Sequence, residues 1–263
     1  MEVYDHQTGD HDDYYGVDKV WVDTGAGHDT VYVWDNFDYA YYGHADISVF
    51  TGDGADFVQV FASYTGNSID ISTGNGEDYV YVDVTNNSLY GGQLVIDMGN
   101  HDDYIRVYAD FVCSVDVSTG NGKDYVYANG YLNHSTYYAG VGEVVIDTGN
   151  DEDDVELLGQ YGCNLDVSTG NGKDYVYTRT ACAYDSNEIA IDTGTADDEV
   201  FLQCTRYSTT YPDDLDIALG HGDDTISGYA YYCDGTVDGG QGEDSCSGLT
   251  VYGGSLEVIN CED

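Results

Sequence analysis

Ser118–Tyr127 reads STGNGKDYVY, and the same ten residues return unchanged at Ser168–Tyr177. Ser72–Tyr81 differs from them only in carrying Glu77 where the other two copies have Lys123 and Lys173. A glycine-rich turn, one aspartate and an alternating Tyr/Val strand in one recurring block describe a unit that stacks on copies of itself. Aligning the chain on the aspartate of this block gives eleven copies: Asp13, Asp29, Asp56, Asp78, Asp103, Asp124, Asp153, Asp174, Asp198, Asp224 and Asp244. Their intervals run from 16 to 29 residues, too irregular for a helical array, and no segment has a 3.6-residue apolar period. A glycine stands four residues before every one of these aspartates, Gly74, Gly120 and Gly170 among them, where the backbone needs a positive φ or a close approach.

Two residues after the aspartate the side chain is Val or Ile in nine copies: Val31, Val58, Val80, Ile105, Val126, Val155, Val176, Val200 and Ile226. The alternation that follows places Val80 and Val82 on one face and Tyr79 and Tyr81 on the other. A second strand precedes each turn, as in Ile69-Asp70-Ile71-Ser72. Each repeat is therefore strand, glycine turn, strand and a return of variable length. A unit this small cannot bury its apolar face alone, but a stacked series shares one continuous core. The predicted fold is all-β: a parallel β-solenoid of eleven coils averaging about 23 residues, roughly 50 Å long at about 4.8 Å per coil. It forms one domain over 1–263, with a cap or first coil over about 1–20 and a C-terminal coil or cap over about 245–263.

Composition narrows the partners. Among 263 residues there are 50 Asp plus Glu against 6 Lys plus Arg, a formal charge of -44, yet 41% are hydrophobic and 14% aromatic. Such a chain folds if its carboxylates are neutralised. Nucleic acid and anionic membrane surfaces are disfavoured as partners, since both reward a positive footprint that six basic residues cannot supply. No apolar run is long enough for membrane insertion, and Met1 to Asp5 lacks the basic and apolar regions of a signal peptide. Six scattered basic residues offer no acid/base or cationic cluster in a groove, so the chain is not expected to be an enzyme.

Stacking puts the aligned aspartates about 4.8 Å apart, where neighbours repel by about 3.5 kcal/mol at an effective dielectric of 20. Further acids precede the turn at Asp23, Asp97, Asp147, Asp192 and Asp238. Several hard oxygens per site, some from glycine-turn carbonyls, suit Ca²⁺ with its six to eight flexible ligands; Zn²⁺ would want His and Cys in ligand spacing. The predicted ligands are the eleven aligned aspartates and these five pre-turn aspartates. At these residues GNGKDYVY resembles the GGxGxDxUx nonapeptide of the RTX (repeats-in-toxin) family, over most of residues 6 to 248. That resemblance implies calcium ions held between stacked turns by the aligned aspartates and turn carbonyls. Thr fills the first motif position in eight copies, and the second motif glycine is replaced at His11, His101, Asp151 and Ala196.

Two surface rows bear on partners. Tyr32, Tyr79, Tyr81, Tyr104, Tyr125, Tyr127, Tyr175 and Tyr177 form an outward aromatic row that could grip a glycan or a second protein, or else stabilise the sheet by cross-strand packing. A Thr-Gly-Asx row runs through the turns as Thr51/Asp53, Thr73/Asn75, Thr119/Asn121, Thr148/Asn150 and Thr169/Asn171. It is similar to the TGN turns of calcium-dependent bacterial ice-binding solenoids, which implies an ice face. The function expected is that of an extracellular or cell-surface, calcium-stabilised structural or adhesive solenoid, with end-to-end self-association into a fibre. Ice binding and carbohydrate binding stand as alternatives.

Seven cysteines lie between Cys113 and Cys261, and an odd count leaves at least one without an intrachain disulfide partner. Cys113 and Cys163 fall two coils apart, about 9 to 10 Å, which is too far for a bridge; they read as packed thiols. Cys182 with Cys204 and Cys246 with Cys261 are the candidate bridges.

Overall fold

The computed structural model describes residues 2–5, 11–13, 19–35, 46–62, 68–84, 92–109, 114–131, 142–160, 163–182, 188–206 and 213–262. These residues form strands and tight turns with no helix, so none of them supplies a helix able to cross a membrane. The strands before the turns, from Lys19–Asp23 to Leu256–Ile259, make an eleven-stranded leading sheet; those after the turns belong to a twelve-stranded trailing sheet. Every neighbour in the leading sheet is parallel, as is every pair in the trailing sheet from Thr30–Asp35 to Ser245–Tyr252. The fold is thus the parallel β-solenoid that the repeat predicts.

The coil count differs from the eleven read off the aspartates. The regular part of the stack is about eight turns, in which the third turn residue bridges directly to its counterpart from Asn75 through Asn100, Asn121, Asn150, Asn171, Thr195 and His221 to Gln241. The turns around Asp29 and Asp56 stack onto these through their strands. The copy around Asp13 is not a coil: His11–Asp13 pairs antiparallel with Glu2–Asp5, which pairs antiparallel with Thr30–Asp35. Its interval of 16 residues is too short for two strands, a turn and a return at about 3.3 Å per residue, and the segment lies across the end of the trailing sheet instead.

The two sheets enclose one continuous core. All nine Val and Ile residues placed two positions after the aspartate are fully buried, and inward residues of the leading strands such as Leu94, Ile96, Val117 and Ile146 pack against them. Each contributes on the order of 1.5–3 kcal/mol by leaving water.

The turn glycines adopt the left-handed conformation the pattern calls for, as at Gly120 (φ 87°) and Gly122 (φ 135°). Where the second motif glycine is missing, His101, Asp151 and Ala196 are forced to φ of 91°, 83° and 97°. A Cβ makes this region costly by about 1–2 kcal/mol per residue. Ala196→Gly is therefore expected to stabilise the chain by about 1 kcal/mol, read as a higher midpoint of denaturant unfolding.

Candidate functional site

Two-residue alternation continues through both ends of each turn. Counting back from buried Val126, Tyr125 faces out and Asp124 faces in; counting forward from buried Val117, Ser118 faces out and Thr119 faces in. The ten aspartates from Asp29 to Asp244 are accordingly buried, each at most 3% exposed. They lie inside the turns, and the solvated carboxylates of an ordinary Gly-Asp turn are not found there.

Each aspartate closes on the coil before it. The Asp78 N–H donates to Oδ1 of Asp103, that of Asp103 to Asp124, and that of Asp124 to Asp153, each at 2.8 Å. The same bond recurs from Asp29 to Asp244 at 2.7 to 2.9 Å. Glu262 completes the series, its Oε2 accepting from the Asp244 N–H at 2.9 Å while its own N–H donates to the Asp244 carbonyl. Nothing in the repeat alignment points to Glu262, because it arrives without a glycine turn.

The second carboxyl oxygen is the unusual feature. Oδ2 of Asp56, Asp78, Asp103, Asp124, Asp153, Asp174, Asp198, Asp224 and Asp244 is buried without a hydrogen-bond partner. The hydroxyls nearby have one proton each to give; that of Thr73 is directed to the Met98 carbonyl at 3.1 Å and that of Thr119 to the Thr148 carbonyl at 3.2 Å. Burial pushes seven of these carboxyls, from Asp78 to Asp224, up from the ordinary value near 4. Asp103 and Asp153 reach about 8, Asp198 about 7 and Asp224 about 6, with the backbone N–H of the preceding coil easing the burial cost and neighbouring carboxylates adding to it. Asp78, Asp124 and Asp174 are raised for the same leading reason. A row of buried acids one coil apart either stays protonated or requires a cation.

The pre-turn aspartates are not brought to this ladder. Asp23, Asp97, Asp147 and Asp192 are exposed on the outer face of the leading sheet, one residue out of phase with the inward positions, and Asp238 is half-buried. Oδ1 of Asp192 accepts the Gly194 N–H and Oδ1 of Asp238 the Gly240 N–H, so these side chains brace the glycine turn. Among the described residues no group of three or more His, Cys, Asp or Glu side chains is placed to hold a metal ion. Asp13 lies in the antiparallel edge strand, outside the register of the stacked turns.

The Thr-Gly-Asx row divides in two. Thr51, Thr73, Thr119, Thr148 and Thr169 are fully buried, in line with Met98 and Leu219, so they are not an outward row and cannot touch ice. Met98 and Leu219, which interrupt the threonines in the sequence, are the signal that this register is apolar and inward. The Asx half is exposed and forms a ladder of its own. Asn75 Nδ2 donates to Asp53 Oδ1 at 2.6 Å, Asn100 to Asn75 at 2.9 Å, and Asn121, Asn150 and Asn171 each to the preceding member at 2.7 Å. Asn100 belongs to it although Met98 breaks the motif there.

The tyrosines lie on the outer face of the trailing sheet, half-buried against one another. Phe57, Tyr79, Tyr104 and Tyr125 form a continuous column with ring centroids 4.7 to 5.0 Å apart and near-parallel planes, and Tyr32 leans on Phe57. A second series runs Trp34, Phe61, Tyr81, Tyr108 and Tyr127. It steps sideways to Tyr108 because Arg106 occupies the position in register with Tyr81, its guanidinium lying over Tyr104 and Tyr127. Asp154 separates Tyr125 from Tyr175 in that register, and Tyr177 stacks on Phe201. Since neighbouring rings cover most ring faces, the columns present mainly edges and hydroxyls to solvent, an arrangement suited to cross-strand stabilisation.

Of the cysteines, Cys246 and Cys261 are joined, as the spacing allows. Cys204 and Cys233 are fully buried with their sulfurs 3.2 Å apart. Cys113 and the side chains of Cys163 and Cys182 lie outside the described residues.

No family model matches the chain, and searches of curated proteins and of solved structures return no match.

Proposed function

We propose that the chain is a rigid structural rod of the extracellular space or cell surface, stabilised by calcium ions taken up along the aspartate ladder and serving adhesion or fibre assembly. The observation that carries this reading is the series of nine buried Oδ2 atoms without hydrogen-bond partners. Buried acceptors are nearly always satisfied, and this set recurs in register along the stack. The donor chemistry fits a hard cation: each turn offers a carboxyl oxygen and backbone carbonyls, and most add a threonine hydroxyl, with the Met98 thioether taking the place of that hydroxyl in one turn. With no cluster of three acidic side chains among the described residues, most ligands of each ion would come from backbone and hydroxyl oxygens. Asp56, Asp78, Asp103, Asp124, Asp153, Asp174, Asp198, Asp224 and Asp244 would hold the ions, and the exposed pre-turn aspartates would attract them electrostatically.

Calcium would supply charge compensation and cross-linking between coils. A rod of this kind has little flexibility to lose on contact, and its periodic surface suits a repetitive partner. Fibre growth would proceed by one rod stacking on the next.

Calcium titration of chelator-treated protein, followed by circular dichroism melting at pH 8, tests the proposal. At an ion concentration 100 times the dissociation constant, each occupied site adds about 2.7 kcal/mol, so the melting temperature should climb by well over ten degrees as several sites fill. An unchanged melting curve in EDTA and in millimolar calcium would sink the calcium reading.

A further inference from the structure

We infer that Tyr125 is a site of one-electron oxidation from which two copies of the chain become joined by a dityrosine bond between their trailing sheets. Its hydroxyl donates to Glu156 Oε2 at 3.0 Å, one coil further on. A phenol that gives up an electron must also give up its proton, and a carboxylate within hydrogen-bond reach takes that proton in the same step. Tyr127, on the same strand, is bonded differently: its hydroxyl accepts from Asn129 Nδ2 at 3.2 Å. Burial and the Glu156 carboxylate raise the Tyr125 phenol above its ordinary range, so the proton stays until an electron leaves.

The stack feeds this site. Tyr79 and Tyr104 lie 4.9 Å apart with planes 5° from parallel, and Tyr104 and Tyr125 lie 4.7 Å apart at 20°. An electron vacancy formed on either neighbour can pass between the overlapping ring faces to Tyr125. The Arg106 guanidinium, 5.8 Å from the Tyr104 ring, opposes positive charge there. Asp154 takes the next place in register, so the column ends at the residue that holds a proton acceptor.

A second copy is the coupling partner because this face is nearly free of charge. From Tyr32 to Asn129 the outward positions of the trailing strands carry one acid, Asp83, and one base, Arg106. The outer face of the leading sheet carries Asp97, Asp116, Asp147, Asp166, Asp192 and Asp216, all exposed. With a formal charge of -44 on each chain, two rods approach more readily through their aromatic faces than through these acids. Within a column the rings meet face to face, whereas a biaryl bond joins two rings edge to edge. The edges face solvent, so the bond forms between rods, and a twofold contact brings Tyr125 to Tyr125.

The chemistry balances with hydrogen peroxide as the oxidant, acting through a haem peroxidase. One electron passes from Tyr125 to the oxidised haem and the phenolic proton passes to Glu156, leaving a neutral tyrosyl radical and a carboxylic acid. Two such radicals, on two copies, join through the ring carbons ortho to their oxygens. The hydrogens on those carbons shift to the oxygens and restore both phenols, and each Glu156 returns its proton to water. Per bridge, two electrons and two protons reduce one hydrogen peroxide to two waters.

The test is a cross-link map. The full chain, in about 0.15 M salt to screen charge beyond about 8 Å, is treated with a haem peroxidase and hydrogen peroxide, and covalent dimers are digested and mapped by tandem mass spectrometry. Most bridges are expected to contain Tyr125. Tyr125→Phe, which keeps the ring in the stack, should lose most of the dimer, whereas Tyr175→Phe should lose little. Glu156→Gln should move the bridges to other tyrosines, a change that a merely structural role for Glu156 would not produce. Absence of covalent dimer, bridges spread evenly over the tyrosines, equal loss in Tyr125→Phe and Tyr175→Phe, or a Tyr125 bridge undiminished in Glu156→Gln would overturn the inference. The map of the parent chain needs no substitution, so it decides the matter even where a variant folds poorly. Because the readout is a covalent bond between tyrosines, it stands apart from calcium binding.

Discussion

Raising the pH from 5 to 8 in the absence of divalent cations is expected to destabilise the protein, the reverse of what an acidic chain with paired carboxylates would do. The folded-state values of Asp103 and Asp153 at about 8, Asp198 at about 7 and Asp224 at about 6 lie above the unfolded value near 4. Between these limits the folded chain binds more protons than the unfolded one. The stability these groups contribute is therefore fully present below about pH 4 and is lost as the pH rises through 6 to 8. Each carboxyl titrating in that window lowers stability by up to about 1.4 kcal/mol per pH unit, and several do so together. Calcium should abolish the fall, because an ion replaces the protons. Asp153→Asn separates the two states of the ladder: the amide oxygen still accepts the Asp124 N–H, and the buried position is neutral at every pH. Without metal at pH 8 this variant should be more stable than the parent; with saturating calcium it should be less stable, having lost a ligand. Thermal melts over pH 4 to 9, with and without calcium, read both. Metal-free stability that rises from pH 5 to pH 8 would mean that the buried carboxylates are ionised and satisfied by the protein alone.

Gly76→Ala should be among the most damaging single substitutions in the chain. Gly76 has φ 150°, and a Cβ there would collide with the backbone carbonyl of Gly54 in the coil before it. That carbonyl belongs to a stacked turn held through Gly54 N–H to Asn75 and Gly76 N–H to Asn100, so it cannot yield without breaking the stack on both sides. A forced backbone shift costs about 1–3 kcal/mol, and the disfavoured φ adds about 1–2 kcal/mol, for a combined loss of about 3 kcal/mol or more. Since each coil touches only its neighbours, the damage should be local. Amide hydrogen exchange is expected to accelerate in the turns around Asp56, Asp78 and Asp103 while the coils beyond Asp174 keep their protection. Uniform acceleration along the whole rod would contradict the nearest-neighbour picture.

The solenoid was legible in the sequence because its repeat is local. STGNGKDYVY contains the turn glycines, the inward valine and the outward tyrosines, and each follows from a two-residue period or from the φ that only glycine adopts easily. The same period, carried one step further in each direction, turns Asp124 and Thr119 inward; treating the turn as a break in the alternation puts them on the surface. Residue type alone argues for the surface, since an aspartate or threonine in a glycine turn is most often solvated, and only Met98 and Leu219 in the threonine register speak against it. The copy around Asp13 has the motif without the chain length to close a coil, so motif and architecture part company there.

By itself the sequence determined the strand alternation and the turn positions, which follow from steric limits within a few residues, the parallel stacking, which follows from the repetition of that unit, and the excess of negative charge, which is composition alone. Only the tertiary structure decided which oxygens are left without partners, that Glu262 closes the ladder, that the tyrosine faces are covered, and that Cys233 meets Cys204. Those outcomes depend on the height and phase at which one coil settles on the next. That phase is expressed in contacts between residues about twenty to thirty positions apart, which no pattern within a single repeat records.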